Sequence, residues 1–266
     1  MQTNQKLINR AIDYIVENMT LSPDLEKVAS IAGFSKFHFH RIFKEYTGET
    51  LASFTKRIRL EHSAFLLVFY KERTIRDIAL SCGFSSSQSF ATAFKAYYRV
   101  SPSTYKEKRG CAGIVVDDPQ LIAKYKVKIQ YIESFSMVYY RSFGAYSHEN
   151  VVKKQKEIAQ KHPNKTYIGI SWDNPHITPN QHCRYDYGYV VDNGKFDKLL
   201  PKQTIESETY AILTIPKKSA DIAKIWEYLY LSWLPRHGYK PHRLFCFETI
   251  LDDASTISFY LPVKKI

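Results

Sequence analysis

Cysteine is scarce in this chain. Its four cysteines, Cys82, Cys111, Cys183 and Cys246, are scattered over 266 residues and form no C-x-x-C pair. That pattern argues against a disulfide framework and a zinc site, and it fits reduced thiols in a cytoplasmic protein. Long apolar runs are also missing. No stretch approaches the ~20 apolar residues that a bilayer-spanning helix needs. The N-terminus, MQTNQKLINRAIDYIVENM, carries charges throughout and has no signal-peptide core. No membrane partner is expected. Acidic residues are the minority, 26 Asp+Glu against 38 Lys+Arg, for a formal net charge of +12. The imbalance favours an anionic partner, nucleic acid or a membrane surface, and does not by itself distinguish them. It is not confined to one region, because residues 1–110 hold 17 cations and 10 acids and the remainder 21 and 16. With 44% hydrophobic and 15% aromatic residues, the chain can build one large core or two ordinary ones.

The first half is helical by period. Leu7, Ile8, Ala11, Ile12, Ile15, Val16 and Met19 fall on one face. Ser22-Pro23-Asp24 supplies an N-cap, a proline at the first helical position and an acid in the first turn. Gly33 suits a left-handed C-cap, and Ser35 can cap a following helix, KFHFHRIFKEY. The pattern then repeats. LEKVASIAGFS (25–35) aligns with IRDIALSCGFS (75–85), and after one inserted residue Phe39, Phe43, Lys44 and Tyr46 match Phe90, Phe94, Lys95 and Tyr97. A long amphipathic segment, 50–70, connects the copies. These are two helix-turn-helix units on one connecting helix.

AGFSKFHFHRIFKEYTGETLASF, RIRLEHSAFLL and IRDIALSCGFSSSQSFATAFKAYYRVSPSTY, spanning residues 5–108 with the preceding helix, resemble the DNA-binding domain of AraC/XylS-type transcription regulators. The resemblance implies that the second helix of each unit enters a major groove of double-stranded promoter DNA. A monomer then reads an asymmetric site, and RNA polymerase is a further partner. On the first such helix Phe39 and Phe43 face the core, leaving Lys36, Phe37, His40, Arg41 and Lys44 for DNA. Arg41 can bond guanine in bidentate fashion and the lysines can neutralise phosphate. On the second, Ser86, Ser87, Gln88, Ser89 and Thr92 are available. Gln88 suits adenine, but the set is short and uncharged, so the first helix should dominate. His38 and His40 are two apart on a helix and point to different faces, so no metal site is expected there. No cofactor is expected.

Residues 111–123, within EKRGCAGIVVDDPQLIA, read as a linker. Beyond it lies a second repeat. YIESFSMVYYRSFGAY precedes a helix-like run and two strand-like runs, YIGISWDN and CRYDYGYVVD. TIESETYAILTIP precedes another helix, then RLFCFETIL and TISFYLPV. The fold class is therefore α+β and multidomain. An all-α double helix-turn-helix domain (1–110) is followed by two strand–helix–strand–strand repeats with antiparallel sheet (124–266).

Glu248 sits inside an apolar strand, where an ionised carboxylate is costly. It can lie at a strand end, reach water or pair with a neighbour such as Arg243 or a lysine; it can act as a catalytic base; or it can serve as a ligand counter-charge. The repeat order, with GISWDNP, WEYLYLSWLPRHGY and CFETILDD in place, resembles the gyrase-inhibitor-like (GyrI-like) effector-binding domain. That resemblance implies a cleft for small amphipathic molecules, often organic cations, with Glu248 at its floor. Trp172, Tyr146, Tyr187, Trp226 and Tyr230 are the expected lining. It also leaves open a hydrolase using Glu248 as base, or a ligand-free interaction module; the DNA-binding half argues for a regulator rather than an enzyme.

Overall fold

A computed structural model describes residues 2–21, 23–110, 126–146, 148–191, 196–216, 222–251 and 255–266. The chain divides into two units, Met1–Ala112 and Gly113–Ile266. The expected linker 111–123 lies outside the described residues, as does Ser22.

The described residues of the first unit form helices joined by turns: α1 (Gln2–Glu17), α2 (Leu25–Ile31), α3 (Lys36–Thr47), α4 (Leu51–Phe69), α5 (Ile75–Ser81), α6 (Ser87–Tyr98) and α7 (Pro102–Gly110). Ile8, Ala11, Ile12 and Ile15 of α1 are buried, as their period requires. Met19 falls beyond α1, in a 3-10 turn over Met19–Leu21. Asp24, not Ser22, caps α2: its carboxylate accepts from the Lys27 N–H, and the helix begins one residue later. α4 is the connecting helix. One of its faces packs Phe54 edge-on against Phe43 of α3, while α3, α6 and α7 all contact the same helix.

The second unit contains β1 (Val127–Ile132), β2 (Phe135–Phe143), α8 (His148–Lys161), β3 (Thr166–Ser171), β4 (Arg184–Val191), β5 (Lys202–Ile205) and β6 (Glu208–Pro216). There follow α9 (Ile222–Glu227), a π-helical turn (Tyr228–Trp233), α10 (Leu234–Arg236), β7 (Tyr239–Pro241), β8 (Cys246–Leu251) and β9 (Thr256–Lys265). All ladders are antiparallel, in the order β1-β6-β9-β8-β3-β4-β2-β5, with β7 on β9.

Each run that reads as one leading strand is two. Both break at the same tripeptide, Ile132-Glu133-Ser134 and Ile205-Glu206-Ser207. β1 crosses to pair with β6 of the other repeat, and β5 pairs back with β2 (Ile132↔Glu208 and Phe135↔Ile205). Two residues link Ile132 to Phe135, a reach of at most about 11 Å. Yet β1 and β2 stand six places apart in the sheet, about 29 Å if it were flat. The sheet must therefore curl. Phe135 of β2 meets Phe247 of β8, three strands away, at 5.8 Å across the inside of the curl. The inner face buries Met137, Tyr139, Ile168, Ile170, Tyr210 and Phe247. The outer face is covered by α8, α9 and the π-helical turn over a core that includes Tyr185, Tyr187, Leu229, Trp233, Cys246 and Phe259. A pseudo-two-fold axis runs between β3 and β8, where Gly169 of one repeat pairs with Glu248 of the other.

Candidate functional site

The two candidate reading helices are presented by the same local chemistry. Gly33 and Gly83 turn the chain at φ of +70° and +79°. Ser35 accepts from the His38 N–H to open α3. Ser86 and Ser89 form a reciprocal capping box at the start of α6, so those two hydroxyls are already engaged by the helix end. Phe39 and Phe43 bury fully, as do Phe90 and Phe94. The other faces stay in solvent. Lys36, Phe37, His40, Arg41 and Lys44 are all exposed, and Phe37 is 87% exposed, which is unusual for a large aromatic side chain. Lys36 pairs with Glu26 at 3.4 Å and Arg41 reaches the His38 ring at 3.4 Å, both exposed contacts that DNA could displace. His38 packs edge-on against Phe34. Gln88, Ser89 and Thr92 are exposed on α6, with Ser87 half-buried.

Sequence reasoning missed Lys56. It stands on the exposed face of α4 and borders two grooves, one with Ser86, Gln88, Ser89 and Thr92, the other with His40 and Arg59. Period alone shows that Lys56 faces outward; only packing shows that it faces outward between α3 and α6.

In the second unit the apolar strand does bury its acid. Glu248 is 5% exposed, on the outer face with Cys246, while Phe247 points to the inner face. The pairing with Arg243 does not form: Arg243 donates instead to Glu208 at 2.8 Å. Glu248 Oε1 accepts a 2.6 Å hydrogen bond from the Tyr185 hydroxyl, and Gln155 of α8 donates to that hydroxyl at 3.2 Å. Tyr185 reaches Glu248 diagonally across Gly169, where an added Cβ would collide with both partners. The glycine is thus the space in which carboxylate and phenol meet. Burial raises the Glu248 pKa to about 7, against the opposing pull of the Tyr185 hydrogen bond. Burial likewise pushes the Tyr185 phenol well up, and the adjacent carboxylate adds to it.

The described residues contain four buried carboxylates, Glu61, Asp173, Asp186 and Glu248. Three have an arginine: Arg57 on Glu61, Arg184 on Asp173 and Arg141 on Asp186. Glu248 alone forms no ion pair among the described residues.

Tyr146, Tyr187, Trp226 and Tyr230 pack on the outer face with Glu248. The Tyr146 ring lies 5.9 Å from that of Tyr185, and its hydroxyl bonds the Arg184 carbonyl at 2.8 Å. Tyr187 stacks on Tyr167, Trp226 sits edge-on to Phe259, and the Tyr230 hydroxyl bonds the Cys246 thiol. Trp172 is the exception. The pleat sends it to the inner face, where its indole N–H donates to Asp186 at 2.6 Å beside the Arg141 guanidinium. It therefore does not join Glu248. Tyr185, which does, shares its strand face with Tyr187; alternation was the available signal.

Among the described residues no helix is long and apolar enough to cross a membrane, and no cluster of three or more His, Cys, Asp or Glu could hold a metal ion. Residues 28–108 match the helix-turn-helix domain family. Residues 125–264, more than half of the chain, match the GyrI-like small molecule binding domain family. The chain is 39% identical over 108 residues to the transposon Tn10 TetD protein of Escherichia coli, covering 41% of this chain and 78% of TetD. It is 35% identical over 105 residues to the HTH-type transcriptional activator AarP of Providencia stuartii, covering 40% and 77%. Among solved structures it is similar to the C-terminal domain of AraT, a response regulator from Geobacillus stearothermophilus, at 33% identity, covering 39% of this chain and 85% of that chain with a TM-score of 0.37. With both halves accounted for, the chain belongs to the AraC/XylS-type DNA-binding transcription regulators and carries a GyrI-like small molecule binding domain.

Proposed function

We propose that α3 and α6 read an asymmetric promoter duplex and that the second unit responds to an amphipathic organic cation held against Glu248. The observation that carries the effector reading is the missing partner. Three buried acids of the described residues have an arginine, while Glu248 has a phenol and its own backbone. A lipophilic cation would supply the absent charge, and Tyr187, Trp226 and Tyr230 offer aromatic surface on the same side of the sheet. Because Glu248 is covered in this conformation, entry requires the outer-face helices to shift, which gives ligand binding a structural consequence to transmit.

The test is a tryptophan-fluorescence titration with a matched pair, one lipophilic cation and its neutral isostere. Glu248→Gln should weaken the cation at least tenfold more than the isostere. Equal losses, or no cation binding by the intact protein, would remove the counter-charge role.

On the DNA side α3 carries the charged readers Lys36, Arg41 and Lys44, and α6 carries Gln88 and small hydroxyls. Sites selected from a random pool should show one sharp block and one diffuse block about a helical turn apart. A promoter-bound regulator of this type works in the cytoplasm and acts on RNA polymerase. A second reading has Glu248 as a hydrolytic base, favoured by its pKa near neutrality. Turnover of an activated ester by the wild type and not by Glu248→Gln would support it.

A further inference from the structure

The connecting helix carries buried charge that touches both DNA-reading motifs. Glu49 follows Gly48, the left-handed C-cap that ends α3. Arg57 of α4 donates to Glu49 through Nε and Nη2 (2.9 and 2.7 Å) and to Glu61 through Nη1 (3.0 Å). The other Glu61 oxygen accepts from the Tyr97 hydroxyl at 2.9 Å, and Tyr97 lies in the last turn of α6. Arg57 and Glu61 are each 3% exposed. The chain Glu49–Arg57–Glu61–Tyr97 thus runs from the end of one candidate reading helix, through the connecting helix, to the end of the other.

Such a chain is a poor device for stability alone. Desolvating two acids and a guanidinium costs about as much as their attraction returns, and apolar residues of similar volume often do as well. What it supplies is direction, since bidentate guanidinium–carboxylate contacts hold one relative orientation. A second tie lies elsewhere. The Gly83 turn approaches Thr20 so closely that a Cβ there would sit 2.8 Å from Thr20 Cα, and Arg59 of α4 donates to the Met19 carbonyl at 2.5 Å. One contact between two motifs is a pivot. A second, separate contact through the same helix removes the remaining rotation.

We propose that Glu49, Arg57, Glu61 and Tyr97 are positioning residues that set the spacing and phase of the two DNA blocks without touching DNA. This rests on the reading that both α3 and α6 enter the duplex. One inserted base pair moves the second block about 3.4 Å along the duplex and about 34° around it. A rigid pair of helices cannot follow that displacement, whereas a loosely joined pair can.

The experiment uses the full chain and a duplex it selects from a random pool, with derivatives carrying one base pair inserted or deleted between the blocks and one retaining the sharp block only. The wild type should bind both spacing variants at least tenfold more weakly than the selected site. Tyr97→Phe keeps the ring packed against Tyr98, 4.7 Å away, and removes only the hydroxyl. Tyr97→Phe and Glu61→Gln should each reduce the spacing penalty to threefold or less, with single-block binding unchanged. An unaltered penalty, or an equal loss on every duplex including the single block, overturns the proposal and leaves the network a structural one. A wild type that binds the single block as tightly as the whole site refutes the two-helix reading, and this proposal with it, before any variant is compared.

Discussion

Replacing Glu248 by glutamine should make the second unit more stable at neutral pH, the opposite of what removing a paired carboxylate does. In the fold burial raises the Glu248 pKa from 4.5 to about 7. The folded state therefore holds the proton more tightly than the unfolded state. Its stability is full below about pH 4.5, falls as pH rises to about 7, and levels off above. The shift corresponds to about 3 kcal/mol between the plateaus. Glutamine nearly matches the protonated acid in shape and does not ionise. Its second N–H has to find an acceptor near Tyr185, which costs about 1 kcal/mol. Glu248→Gln should thus gain about 2 kcal/mol over the wild type at pH 8 and show no gain at pH 4.5. Urea unfolding followed by tryptophan fluorescence reads this directly, because Trp172, Trp226 and Trp233 all belong to the second unit. Parallel pH profiles for the two proteins, or a deficit in the variant that grows above pH 5, would mean that Glu248 is ionised and paired in the native state.

Two further outcomes bear on the first unit. Arg41→Ala should cost about 1–3 kcal/mol of specific binding and relax preference at one base pair, while Lys36→Ala, Lys44→Ala and Lys56→Ala should weaken all sequences evenly and each lower the salt slope by about 1, measured by binding over a salt series. Gly33→Ala meets open space and should cost only the ~1 kcal/mol of a left-handed alanine, whereas Gly83→Ala must also displace the Thr20 backbone and should cost clearly more, as chemical denaturation would show.

What the amino-acid order settled by itself is whatever depends on neighbours along the chain. Ser35, Gly33 and the spacing of Phe39 and Phe43 place α3 within a residue, because caps, left-handed turns and a 3.6-residue period are local properties. The duplicated A-x-x-x-G-F-S core placed the second copy in the same way. The apolar run around Glu248 showed that an acid was being taken out of water. Local pattern could not show what it met there. Gly169 and Tyr185 reach Glu248 through two ladders that join strands distant in sequence, and a shift of one residue in either ladder would leave Tyr185 and Glu248 on opposite faces of the sheet. Trp172, expected beside Glu248, stands on the other face for the same reason: the pleat puts it behind the sheet, against Asp186. The exchange of β1 and β5 between repeats was equally hidden, although both breaks fall at Ile-Glu-Ser, because nothing in a two-residue link says on which edge the next strand will pair. Lys56 acquired its place between the motifs only when α4 packed against both of them. Periodicity orients a side chain relative to its own helix, and only the tertiary contacts of that helix decide what stands on the other side.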